Sequence, residues 1–131
     1  MIDRLDHLVL TVRNLDETCR FYSGMLGMEV VTSPAGRLSL HFGREKINLH
    51  LHGQEFEPKA AHVMPGSADL CFVTTLPIEE VAAQLTAKGA AIIEGPIART
   101  GACGPMMSIY LRDPDGNLVE IAHYDEELAE G

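Results

Sequence analysis

DHLVLTVRNLDETCRFYSGMLG, running from Asp6 to Gly27, is the stretch that decides the fold. Leu8, Leu10 and Val12 alternate with His7, Val9 and Thr11, and this period of two predicts a strand over residues 5–12 with an apolar and a mixed face. Asn14 stands where a helix N-cap belongs, and Asp16 and Glu17 follow in the first turn, where carboxylates meet the positive end of the helix. Phe21, Tyr22 and Leu26 continue that helix, and Gly27 stops it. The chain therefore opens with a strand and a helix.

Working outward, strands are predicted over residues 28–32, 37–42 and 46–52, the last two joined by a short turn around Gly43. The first unit thus reads βαβββ. A loop from Gly53 to Ser67, punctuated by Pro58, Pro65 and Gly66, leads into a second series with the same order. It comprises a strand over 69–74, a helix from Pro77 to a stop at Gly89, and strands over 91–94, 107–111 and 118–124. Asp113-Pro114-Asp115-Gly116-Asn117 turns the chain between the last two, because Pro presets φ and Gly accepts a positive one. Sliding the chain by 62 positions lays His7 on Asp69, Glu17 on Glu79 and Gly27 on Gly89. Duplication of one module accounts for this. The expected class is α+β: one domain over 1–131, with module one at about 3–53, a linker at 54–67, module two at about 68–125 and an acidic tail at 126–131.

Ten basic and nineteen acidic residues give a net charge of −9, a field that repels nucleic-acid backbones and anionic membrane surfaces. Neither is an expected partner. Cys19, Cys71 and Cys103 are odd in number and lack CxxC spacing, which argues against a disulfide framework and a thiolate zinc site. Cys71 is read as a small core side chain. The apolar run near residue 1 is too short to span a bilayer and lacks the features of a secretory leader, so a cytoplasmic location is expected.

Within residues 46–52, Ile47, Leu49 and Leu51 alternate with Asn48, His50 and His52. If the apolar set meets the helix, an amide and two imidazoles face away from it. By the same alternation Val119 and Ile121 face the helix, which turns Glu120 to the opposite side, along with His7 from the first strand and Asp69 with Cys71 from the fifth. Carboxylates gathered beside imidazoles in an apolar cup are costly unless they are paired or bind a cation, so this convergence points to a metal. His41, His52, His62 and His123 are assigned to the surface or rim.

DHLVLTVRNLDETCRFYSGMLGMEV, RDPDGNLVEI and the duplicated βαβββ order resemble the vicinal oxygen chelate superfamily of glyoxalase, bleomycin-resistance and dioxygenase proteins. INLHLHGQEFEPKAAH, PGSADLCFVT and EGPIARTGACGPMMSIYLRDPDGN are most similar to small glyoxalase-domain proteins described as virulence-associated or lactoylglutathione-lyase-like. The resemblance implies a curved, partly closed mixed sheet with helices on its convex face. It also implies one divalent ion per site (Mn, Fe, Zn, Ni or Mg), a small-molecule substrate that chelates it through adjacent oxygens, and a homodimer. Carried over by position, the ligand places hold His7, Asn48, Asp69 and Glu120, with Asp69 where the family usually has His and Asn48 where it often has Glu or Gln. Two ligand sets stay open: His7, Asp69 and Glu120, or His7, His50 and Glu120. Glu120 or Asp69 is the expected proton carrier of a lyase, isomerase or dioxygenase. Asn48 and Arg99 are expected to bind substrate, Arg99 beside the glycine-rich run at residues 101–104. The alternative is a metal-free sequestering protein of the bleomycin-resistance type.

Overall fold

A computed structural model describes residues 1–125; the acidic tail expected at 126–131 lies outside them. The chain divides into two compact units, one of Met1–Ala68 with Pro114–Gly116, the other of Asp69–Asp113 with the residues from Asn117 onward.

In unit one, β1 (His7–Val12) leads into α1 (Leu15–Cys19), which widens into a π-helical segment at Arg20–Met25. The strands β2 (Glu29–Thr32), β3 (Leu38–Phe42) and β4 (Glu45–Leu51) follow. Asn14 caps α1 as expected, its side-chain oxygen accepting from the Glu17 amide at 2.9 Å. The strands form one mixed sheet in the order β1-β4-β3-β2. Parallel pairing sets Leu8 against Ile47 and Leu10 against Leu49, and the antiparallel partner adds Leu40 beside Ile47. Leu10, Val12, Leu40, Ile47 and Leu49 are all buried, so the apolar half of each alternation forms the core.

Unit two repeats the plan with β5 (Asp69–Val73), α2 (Ile78–Ala87), β6 (Glu94–Gly101), β7 (Gly104–Arg112) and β8 (Leu118–His123), its sheet ordered β5-β8-β7-β6. Helix α2 packs on β6, β7 and β8. It buries Ile78 and Leu85, while Ile109, Leu111, Val119 and Ile121 supply the sheet side of the core. The two expected βαβββ modules thus each form one four-stranded mixed sheet, in keeping with the α+β class. No helix among the described residues is long and apolar enough to cross a membrane.

The sixth strand departs most from expectation. It was expected at 91–94 and runs instead from Glu94 to Gly101, through Pro96 and the start of the glycine-rich run. Proline and glycine read as breakers, yet β6 is an edge strand, where a missing N–H costs no ladder bond, and its pairing with β7 shifts between Glu94 and Ile97. The glycines here serve close packing. A Cβ on Gly95 would strike the Ser108 carbonyl, and one on Gly101 would strike the Tyr124 hydroxyl and Met106 sulfur.

The turn before β8 is built from buried polar groups. Asp113 Oδ1 accepts from the Asn117 backbone N–H at 2.9 Å and Oδ2 from the Asn117 side-chain amide at 2.7 Å, with both residues buried. Within unit one, Asp115 Oδ1 accepts from the Arg13 backbone N–H at 3.1 Å. Removing one acceptor strands donors that have no access to water. Asp113→Ala is therefore expected to cost about 2–4 kcal/mol in urea unfolding, and Asp113→Asn less, since it keeps the backbone bond. A loss below about 0.5 kcal/mol for the alanine variant would show that the turn does not depend on this carboxylate.

Candidate functional site

Paired residues across a strand ladder share a face, so the register decides which polar side chains meet. In unit one His7 is opposite Lys46, Val9 opposite Asn48 and Thr11 opposite His50; β3 adds Ser39 beside Asn48 and His41 beside Lys46. His7, Asn48 and His50 therefore lie on one face, as alternation predicts. His7 and His50 are not neighbours on it. Four residues of strand separate Lys46 from His50, which is about 13 Å at 3.3 Å per residue.

His7 is exposed, and its Nδ1 stands 2.8 Å from Asp6 Oδ1. That hydrogen bond holds the Asp6 carboxyl below its ordinary range. In the neutral ring it also fixes the proton on Nδ1 and leaves the Nε2 lone pair free, the arrangement that second-sphere carboxylates impose on ligating histidines. The His50 ring packs on Phe56 with centroids 4.4 Å apart.

In unit two Asp69 is opposite Leu118, Cys71 opposite Glu120, and Tyr110 flanks Glu120 from the other side. Asp69, Cys71, Glu120 and Tyr110 thus share the face away from α2. Glu120 carries the feature of most chemical consequence here: its Oε2 is buried and has no hydrogen-bond partner among the described residues. A buried carboxylate oxygen without a donor is unfavourable unless a cation or proton meets it. Beside it the Cys71 thiol is pushed up to about 11, first by partial withdrawal from water, then by the Glu120 charge and hydrogen bond and by Asp69. Cys71 is exposed as a residue, which corrects its expected place in the core, and its protonated thiol is no nucleophile at neutral pH.

Arg99 takes a different part from the one expected. It lies in β6, and not in a loop, and Nε donates to Tyr110 Oη at 2.9 Å, Nη1 to the Ala98 carbonyl at 3.1 Å and Nη2 to Glu94 Oε1 at 3.3 Å. Its guanidinium holds Tyr110 beside Glu120. Neither Tyr110 nor Glu94 was read from sequence as part of the site; the alternation Ser108, Tyr110, Arg112 would have placed Tyr110 on this face, whereas Glu94 depends on the misplaced strand. Of the histidines assigned to the rim, His52 and His62 are exposed. His41 and His123 are half-buried, bonded to Ser39 Oγ at 3.0 Å and to the Thr74 carbonyl at 3.0 Å. In either unit taken by itself, no three of the His, Cys, Asp and Glu side chains among the described residues are grouped to hold an ion. The donors are divided, with His7, Asn48 and His50 in one unit and Asp69 and Glu120 in the other.

Residues 4–121 match the family model of the Glyoxalase/Bleomycin resistance protein/Dioxygenase superfamily. The chain belongs to this superfamily. It is 56% identical over 124 residues to virulence protein STM3117 of Salmonella typhimurium, covering 95% of this chain and 86% of that protein. The crystal structure of that virulence protein matches with a TM-score of 0.93 over 95% of this chain and 99% of the other. A glyoxalase domain-containing protein, RDO1, of Mycosarcoma maydis is 52% identical over 93% of this chain and 69% of its own length. A lactoylglutathione lyase structure from Agrobacterium tumefaciens, 22% identical, matches with a TM-score of 0.72 over 94% of this chain and 95% of that one, a likeness of fold alone. The superfamily fold, two four-stranded mixed sheets with few helices, is the fold described above.

The environment of Cys71 yields a measurable consequence. At pH 8 a thiol near 11 is thiolate in about one molecule in a thousand, so iodoacetamide should modify Cys71 slowly in EDTA-treated protein, the rate climbing as pH approaches 11. Glu120→Gln removes a negative charge that favours the protonated thiol, so that climb should move to lower pH. Peptide mass spectrometry reads both, and an unchanged profile in Glu120→Gln would disprove the coupling.

Proposed function

We propose that this superfamily member is a divalent-metal-dependent enzyme acting on a small substrate that presents two adjacent oxygens, with His7, Asp69 and Glu120 as the ligands. The observation that carries the reading is the buried, unpartnered Glu120 Oε2, an oxygen whose burial favours a cation. The donor chemistry supports it: an imidazole oriented by Asp6, and two carboxylates of unit two on one face. The roughly 13 Å register separation from His7 argues against His50 as a partner ligand, and its packing on Phe56 gives it another role. One nitrogen among oxygens suits Mn²⁺, Fe²⁺ or Mg²⁺.

When bound, such an ion supplies Lewis-acid stabilisation of charge developing on the substrate oxygens. The protein's own residues divide the remaining work. Asp69, exposed to solvent, is the carboxylate that exchanges a proton with water, and Glu120 is the alternative carrier through the oxygen that a bound cation would leave free. Asn48 is a neutral amide that orients without taking a proton. Arg99 acts by positioning Tyr110 beside Glu120. Reaction class, whether lyase, isomerase or dioxygenase, and the homodimer implied by the resemblance belong to the same proposal; sedimentation velocity reads the latter.

Metal analysis of untagged protein tests the reading. About one divalent ion per chain is expected, abolished in the His7→Ala, Glu120→Ala double variant, with Asp69→Ala weakening binding steeply and His50→Ala doing little. Retained metal in the folded double variant would overturn the ligand set, and wild-type protein that takes up no divalent ion would favour a sequestering protein of the bleomycin-resistance type. Because Asn48 is no base, little turnover of the methylglyoxal–glutathione hemithioacetal is expected. Metal-dependent lactoylglutathione formation at about 10 s⁻¹ or more would contradict that.

A further inference from the structure

A cavity of about 550 Å³ lies wholly within unit one, lined among others by Arg37, Ser39, Lys46, Asn48, His50 and Phe56. That volume suits a small organic ligand. Arg37 and Lys46 are too far apart in sequence to suggest a common basic pocket, yet the β3–β4 hairpin brings both to this wall. No Asp or Glu among the described residues lines it, in a chain whose net charge is −9. The cavity is a cationic recess in an acidic protein.

Its two ends differ in chemistry. The Arg37 guanidinium carbon sits 4.0 Å from the centroid of the Phe56 ring, a cation–π contact that orients the group while leaving its positive charge uncompensated. Among the described residues no carboxylate forms an ion pair with Arg37 or Lys46, although the Lys46 charge reaches Asp6. Arg99, bonded to Tyr110, Glu94 and a carbonyl, offers the contrast. The backbone of Arg37 is fixed by a tight turn, its N–H donating to Ser33 Oγ at 3.1 Å and its carbonyl accepting from the Ser33 N–H at 2.8 Å. The cation is therefore held in place before any ligand arrives. Arg37 and His50 cover the two faces of the Phe56 ring, and the apolar lining beside them comes from Val9, Leu38 and Pro58, with Ser39 and Asn48 as neutral hydrogen-bonding groups.

We infer that this cavity binds a small organic anion, an aromatic or apolar body carrying a carboxylate or phosphate head, with the head on Arg37 and the body against the apolar lining of Val9, Leu38 and Pro58, while Lys46 adds positive charge at a distance. A guanidinium presents a planar fork to such an oxyanion and makes charge-assisted hydrogen bonds to it. The cavity shares Asn48 with the proposed substrate site, so the inference rests on that reading and names the kind of substrate it takes; because anion binding needs no metal, its failure in EDTA is distinguishable from failure of the His7, Asp69 and Glu120 ligand set.

The test uses the full chain, ¹⁵N-labelled and kept in EDTA, titrated with benzoate, phenyl phosphate and the uncharged benzamide at low salt. Saturable amide shifts are expected around Arg37, Asn48, His50 and Phe56 with the two anions, and binding about tenfold or more weaker with benzamide. Arg37→Gln should weaken the anions by about tenfold and Arg37→Lys by less, while Lys88→Gln in unit two leaves them unchanged. Phenyl phosphate binding ahead of benzoate identifies the head as a phosphate, and the reverse order identifies a carboxylate. Dispersed spectra establish that each variant is folded. Anions that shift nothing in this cavity, benzamide binding as well as benzoate, or folded Arg37→Gln binding both anions as the parent does would each overturn the inference.

Discussion

The parallel ladder between the first and last strands of each unit is the constraint on which the other features depend. In β1 and β4 it sets His7 against Lys46 and Val9 against Asn48, and in β5 and β8 it sets Cys71 against Glu120. A slip of one residue would carry Asn48 and Glu120 into the cores and expose Ile47 and Val119. The buried aliphatic residues therefore fix the chemistry as well as the stability: Leu10, Ile47, Val119 and Ile121 on one face determine which polar groups gather on the other. Parallel pairing of strands at opposite ends of a module also requires a crossover, which the helical segments after β1 and β5 provide.

Against that frame, polar groups fall into two kinds. Asp113, Asn117 and the Arg99–Tyr110–Glu94 cluster are satisfied internally and hold the turn and the edge strand in place. Among the described residues Glu120 Oε2 has no hydrogen-bond partner and the Arg37 guanidinium no ion pair, one a buried carboxylate oxygen and the other a cation stacked on a ring. Groups of the first kind report on folding. Those of the second mark where a ligand of opposite charge is favoured, a cation in one unit and an anion in the other.

Much of this was legible in the sequence because its signals are local. Alternation in residues 7–12 and 45–51 located the strands and assigned His7, Asn48 and His50 to one face, and Asn14 announced the start of α1. What stayed hidden required knowledge of strand order. Pro96 and the glycines around it read as loop because nothing local reveals that β6 lies at a sheet edge. Arg99 looked free for the same reason, since its partners Glu94 and Tyr110 meet it only once β6 pairs with β7. Register is equally non-local: alternation places His7 and His50 on one face, and only the β1–β4 pairing separates them along it. Arg37 and Phe56 meet through a loop whose path no pattern of residues foretells.

The central claim is that one imidazole and two carboxylates hold a divalent ion, and the number of nitrogens on that ion tests it most directly. Electron spin-echo envelope modulation of the Mn²⁺-loaded protein counts them. The account predicts the modulation of one imidazole nitrogen, present in His50→Ala and gone in His7→Ala. Two nitrogens in the parent protein, or one that survives in folded His7→Ala, would contradict it.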